Sequence, residues 1–190
     1  MQKELLHIMC PICFHHMYIP KDKIILASIE KDIKTSISND EYFKQKCDKC
    51  GHYVKFLYPF IYFDANKSFE LFLSYDEVIL DVNKEAKNKR IVKSIEELNE
   101  KIRIFEADLD DRRIELLKYR LCKQLGSDTV AIQVEFISYD KDYIVFRIDD
   151  EYNNLKLIDS SVYNNIAEYE SSSSILEINM NWAKEELNDE

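Results

Sequence analysis

Cys10-Pro11-Ile12-Cys13-Phe14 and Cys47-Asp48-Lys49-Cys50-Gly51 are the stretches that decide how this chain folds. In each, two residues separate a pair of cysteines, the gap at which both thiolates of a tight turn face one point. Two such pairs supply the four soft ligands of a closed tetrahedral site. Cys10, Cys13, Cys47 and Cys50 are therefore the expected ligands of a structural Zn²⁺. Four protein ligands leave no open position for a reactive water, so the spacing points to a staple rather than a catalytic metal. Gly51 suits the positive φ that such a turn commonly requires. Residues 14–19 read as a strand after the first pair. Residues 42–46 and 53–58 read as strands on either side of the second, and together these make a zinc-ribbon-like sheet.

Outward from the cysteines, Ile25, Ile29 and Ile33 recur every four residues, which favours a helix within 21–40. Residues 57–75 read as a β-hairpin turning at Asp64-Ala65-Asn66-Lys67, and it is expected to extend the ribbon's sheet. Ile91, Ile95, Leu98, Ile102, Phe105 and Leu109 then form one apolar helical stripe. Ser94 and Glu97 fit a capping box at its start, and the stripe is expected to pack on the aromatic hairpin. Asp110 or Asp111 can cap a second helix carrying Ile114, Leu117, Leu121 and Leu125, with Gly126 as its stop. Strands are expected at 130–139, 143–148 and 155–158. A helix capped by Asp159 or Ser160 follows, with Val162, Ile166 and Tyr169 on one face, and a last helical segment ends at 182–187. The fold class is α+β: a zinc-ribbon-like β domain with its aromatic hairpin (1–75), a helical hairpin (76–126) and a small acidic α/β region (127–190).

The two cysteine pairs, the following Tyr58-Pro59-Phe60-Ile61-Tyr62-Phe63-Asp64, and Leu109-Asp110-Asp111-Arg112-Arg113-Ile114-Glu115 together resemble the CpXC family of bacterial and archaeal proteins. The resemblance covers roughly residues 5–125. Asp48 stands where the first pair has Pro11, and Phe14 follows the first pair where many ribbons have glycine. Neither departure removes a ligand. The resemblance implies a zinc-ribbon-like fold and carries over no catalytic residue.

Composition narrows the function. Residues 1–75 carry 10 basic and 9 acidic side chains, 76–125 carry 12 of each, and 126–190 carry 4 against 15, so the net charge of −10 belongs to the last third. That is not the basic footprint of a phosphate-binding surface. No apolar run of about 18 residues is present, which excludes a transmembrane helix. The N-terminal residues lack the pattern of a signal peptide, and the expected compartment is cytoplasmic, where thiols stay reduced. Cys122 reads as a packed thiol on the second helix, and the histidines as surface or packing residues. His15 or His52 replacing a cysteine is the less favoured reading. The acidic group Asp108, Asp110, Asp111 and Glu115 could serve an enzyme using Mg²⁺ or Mn²⁺, but Arg112, Arg113 and Lys118 lie close enough to neutralise it. No nucleophile–base pairing appears. The expectation is a non-enzymatic, zinc-stabilised module that binds a protein partner; a nucleic-acid-binding ribbon is the alternative, disfavoured by charge. Loss of the metal is expected to unfold residues 5–75.

Overall fold

The computed structural model describes residues 4–29, 31–74, 86–126, 132–149, 154–170 and 174–188. β1 (Glu4–Met9) and β2 (His16–Lys21) pair antiparallel as an isolated two-stranded sheet. Their side chains alternate: Met17 and Ile19 point inward and Leu5, His7, Met9, His16, Tyr18 and Pro20 outward. β3 (Ile24–Leu26) and α1 (Lys31–Ser38) follow. The isoleucine spacing thus spans two elements. Ile25 is buried on the strand, Ile29 is exposed in the turn between, and the helix begins only at Lys31. The parallel pairing of β3 with a later strand overrides the local period. β4 (Lys44–Lys46) and β5 (Tyr53–Lys55) form the second two-stranded hairpin.

β6 (Phe60–Asp64) and β7 (Phe69–Leu73) are the expected aromatic hairpin, turning where Asp64 accepts from the Asn66 N–H at 2.9 Å. The hairpin does not extend the ribbon's sheet. With β3, β8 (Asn88–Val92) and the short β12 (Ile175–Leu176) it builds a separate five-stranded sheet, ordered β12-β8-β7-β6-β3. Only the β6–β7 pair is antiparallel. The physical reason lies in β7, all five of whose residues are buried. Such a strand needs cover on both faces, which a small ribbon cannot supply.

α2 (Ile95–Glu106) starts where the capping box places it. Ser94 Oγ accepts from the Glu97 N–H at 3.1 Å, and the Glu97 carboxylate accepts from the Lys93 N–H at 2.7 Å. Ile91, the first member of the apolar stripe, belongs instead to β8. α3 (Asp111–Gln124) is capped by Asp110 and is followed by Gly126 at φ +77°. Ile114, Leu117 and Leu121 are buried, while Leu125 lies past the helix and is exposed. β9 (Gln133–Tyr139), β10 (Tyr143–Asp149) and β11 (Asn154–Asp159) form an antiparallel sheet with β10 in the middle. α4 (Ser160–Asn164) is capped by Asp159 but is too short to present one face through Tyr169. Tyr163 is its buried residue and Val162 is exposed. β12 (Ile175–Leu176) and α5 (Met180–Asn188) complete the fold, the latter as the expected terminal helix. Tyr75, Val130, Ala131 and serines 171–173, all parts of sequence-expected segments, lie outside the described residues.

α2 is covered on two sides. Leu98, Ile102 and Phe105 join the core of the five-stranded sheet, where Phe105 and Phe69 stack with ring centroids 4.9 Å apart. Ile104 joins a second core with α3, β9, β10, α4 and α5. A helix enclosed in this way must also bury its polar side chains, and Glu100 and Lys101 are 6% and 3% exposed.

Candidate metal centre

The two cysteine turns are built alike. In the first, the Cys10 N–H donates to the His15 carbonyl and the Phe14 N–H to the Cys10 carbonyl, both at 2.9 Å. In the second, the Cys47 N–H donates to the His52 carbonyl and the Gly51 N–H to the Cys47 carbonyl, both at 2.8 Å. The residue after each pair is left-handed, with φ 57° at Phe14 and 76° at Gly51. Glycine takes that conformation freely, whereas for other residues it costs about 1–2 kcal/mol. Phe14 is 67% exposed, so its ring brings no packing to offset this. Two unequal outcomes are expected in denaturant unfolding of the metal-loaded protein. Phe14→Gly stays within about 0.5 kcal/mol of wild type, because relief of strain and added chain freedom nearly cancel. Gly51→Ala loses about 1 kcal/mol, although a Cβ there meets nothing closer than Lys46 Cε at 3.8 Å.

These turns bring all four sulfurs together. The Sγ atoms of Cys10, Cys13, Cys47 and Cys50 lie within 4.8 Å of one another. Cys10–Cys50 and Cys13–Cys47 stand at 3.6 Å. Metal–sulfur bonds of about 2.3 Å set tetrahedral sulfurs about 3.8 Å apart, so the four cysteines could hold one ion with small adjustments. Cys10 and Cys47 are buried, Cys13 is intermediate and Cys50 is exposed. Met17, Val54 and Ile8 pack around them and shield the inner side. The protons are unevenly held. Burial opposes the Cys10 thiolate, but the backbone N–H groups of Cys13 and Ile12 and the adjacent thiols bring its pKa down to about 6. At Cys50 the His52 backbone N–H favours the thiolate, but burial and the three other thiols outweigh it and push the pKa up to about 12. Four thiolates this close repel one another, and a divalent cation is what allows all four to ionise.

The other sequence candidates fall elsewhere. Among the described residues the four cysteines are the only group of three or more potential ligands gathered within reach of one ion. His15 and His52 contribute their backbone carbonyls to the turns. His7 and His16 stack on the outer face of β1–β2 with Nε2···Nδ1 2.7 Å apart. Cys122 is buried on α3, its Sγ 3.6 Å from the Ile132 carbonyl.

The acidic group at the start of α3 does not converge on an open cation site. Asp110 caps the helix and pairs with Arg112. Asp108 pairs with Lys67. Asp111 is fully buried and receives two hydrogen bonds from Arg90, at 2.8 and 2.9 Å, with Lys101 at 3.0 Å. The alternation continues inward. Lys101 reaches Glu115 at 3.0 Å, Glu115 reaches Lys118 at 3.1 Å, Lys118 reaches Glu100 at 2.8 Å, and Glu100 accepts from the Phe136 N–H at 2.6 Å. Three cations and three anions thus form one buried chain linking β8, α2, α3 and β9. Burial disfavours the Asp111 carboxylate, but Lys101 and Arg90 outweigh it and hold its pKa down at about 2.

Two exposed faces of the ribbon complete the candidate surfaces, and neither was evident in the sequence. Ile8, Met17 and Val54 meet in one cluster, so the two hairpins face each other through these side chains. Their other faces point away from each other. One carries Leu5, Met9 and Tyr18, exposed at 61%, 49% and 66%; the other carries Lys44, Lys46, Tyr53 and Lys55. No helix of the described residues is long and apolar enough to cross a membrane.

Residues 8–118 match the family model described as CpXC protein. No curated protein and no solved structure matches the chain.

Proposed function

The chain belongs to the CpXC family, and from that premise we propose that it is a non-enzymatic module, stapled by one Zn²⁺ on Cys10, Cys13, Cys47 and Cys50, that binds a partner protein. The observation that carries the reading is the outer face of β1–β2. Leu5, Met9, Tyr18 and Pro20 are exposed there beside the stacked His7–His16 pair, with no acidic, lysine or arginine side chain among them. The Glu4–Lys21 ion pair belongs by register to the opposite face of the sheet. Contiguous apolar surface of this kind marks a contact with another macromolecule. Because the face carries no acidic, lysine or arginine side chain, the patch it meets is apolar as well.

Zinc is supported by the donor set: four thiolates with tetrahedral spacing and no open position. Its role is to hold the two hairpins together so that this face stays exposed. Affinity capture from native extract tests the partner. Wild type is expected to retain a stoichiometric protein that Tyr18→Glu and Met9→Glu release, with metal content and melting unchanged. Recovery of no stoichiometric partner defeats the reading.

A further inference from the structure

The opposite face of the ribbon carries a different chemistry. In the β4–β5 register Lys44 stands opposite Lys55 and Lys46 opposite Tyr53, so one face holds three lysines and an aromatic ring. Tyr53 is 61% exposed. Like charges directly across a strand pair are destabilising. Among the described residues only Lys55 has an acidic neighbour, Asp40 at 3.6 Å. The row is a positive strip on a small hairpin, offset at Lys55 alone by Asp40 among the described residues.

Lys55 also borders a groove of about 470 Å³. Phe43, Phe56, Leu57 and Ile95 give it an apolar floor, with Asp40, Lys93 and Glu96 also among its lining residues. Its size lies in the range of sites that seat a large side chain or small ligand. Basic strip and apolar groove are continuous through Lys55.

We infer that this face binds an extended acidic segment of a partner protein, its carboxylates on Lys44, Lys46 and Lys55 and one large apolar side chain in the groove. The inference rests on the reading of the protein as an interaction module and names a second surface and the chemistry it selects. A buried anchor supplies most of the affinity and rim charges set orientation and on-rate. A polynucleotide fits less well. Stacking platforms present several exposed rings along a basic groove, whereas this strip presents one.

The test selects peptides from a random library on the full-length, zinc-loaded protein, in parallel on wild type, Lys46→Glu/Lys55→Glu and Tyr18→Glu. Peptides enriched on wild type are expected to be acidic and to carry one aromatic or large aliphatic residue. Made synthetically, they bind in fluorescence anisotropy, weaken about tenfold or more on the lysine variant, and weaken when salt rises from about 0.05 to 0.2 M. The salt response is read on wild type and needs no variant. Enriched peptides without acidic bias, or equal binding to the lysine variant, overturn the inference. So does a labelled oligo(dT) that binds wild type more tightly than the peptides and is lost on the lysine variant. Binding lost only on Tyr18→Glu removes this site and leaves the interaction reading standing, whereas enrichment of no peptide removes both.

Discussion

Cys47→Ser, or removal of metal by a strong chelator, is expected to melt the ribbon and leave the rest of the protein folded. Structural zinc bound by peptides of this kind contributes of order 10 kcal/mol of folding free energy. The cluster around the site is small, with Cys10, Met17, Cys47 and Val54 as its buried members. So little apolar area cannot replace that term. Loss of the metal was expected from the sequence to unfold residues 5–75, but β6 and β7 belong to another core, with Leu98, Ile102 and Phe105 beneath them. Hydrogen exchange should therefore lose protection over β1, β2, β4 and β5 and keep it over β6, β7 and α2. Metal analysis should fall from one ion per chain to none. A Cys47→Ser protein with unchanged metal content and unchanged exchange would end the case for a four-cysteine site.

The second large effect lies far from the cysteines. Asp111→Asn is expected to cost about 3–5 kcal/mol in denaturant unfolding, because it leaves Arg90 buried without its carboxylate and takes from Lys101 one of its two, Glu115 remaining. A same-sized neutral side chain separates this from a packing loss, since the volume is retained. The pH dependence follows from the same carboxylate. Its folded pKa is depressed from 3.8 to about 2, so its stabilisation is fully present above about pH 4 and is lost as pH falls through about 2. The linkage corresponds to about 2 kcal/mol. Wild type should lose that increment on acidification, and Asp111→Asn should not show it. A variant as stable as wild type at neutral pH would mean that the buried chain of charges adds nothing to the fold.

The parts of the fold that were legible in the sequence are those decided locally. The Ser94–Glu97 box and the Asp110 cap are short-range hydrogen bonds, and the residues that make them can be read in order along the chain. The cysteine turns were legible for the same reason. What sequence could not show depends on distant pairing. Ile25, Ile29 and Ile33 have helical spacing, yet Ile25 sits in a strand because β6 lies alongside it. Lys101, Glu100 and Arg90 look like solvated charges until α2 is enclosed between two cores. The lysines of β4–β5 are scattered in sequence among Asp48, Tyr53 and Val54, and only strand register gathers them on one face. The C-terminal acidity, by contrast, was visible from counting alone.

The 33 residues between Cys13 and Cys47 do not hang from the ribbon as an appendage. They contain β3, which forms the edge of the large sheet, and Ile37 and Phe43, which are buried in its core. A metal bridging the two turns therefore acts on the chain as a cross-link does, shrinking the unfolded ensemble of a segment that never touches the ion. For a loop of this length the entropic contribution is about 4 kcal/mol. With an ion bound there, the main sheet would draw part of its stability from a site outside it. In metal-free protein the edge strand should fray toward intermediate exchange rates while β6 and β7 hold, making β3 and α1 a remote gauge of whether the clasp is closed.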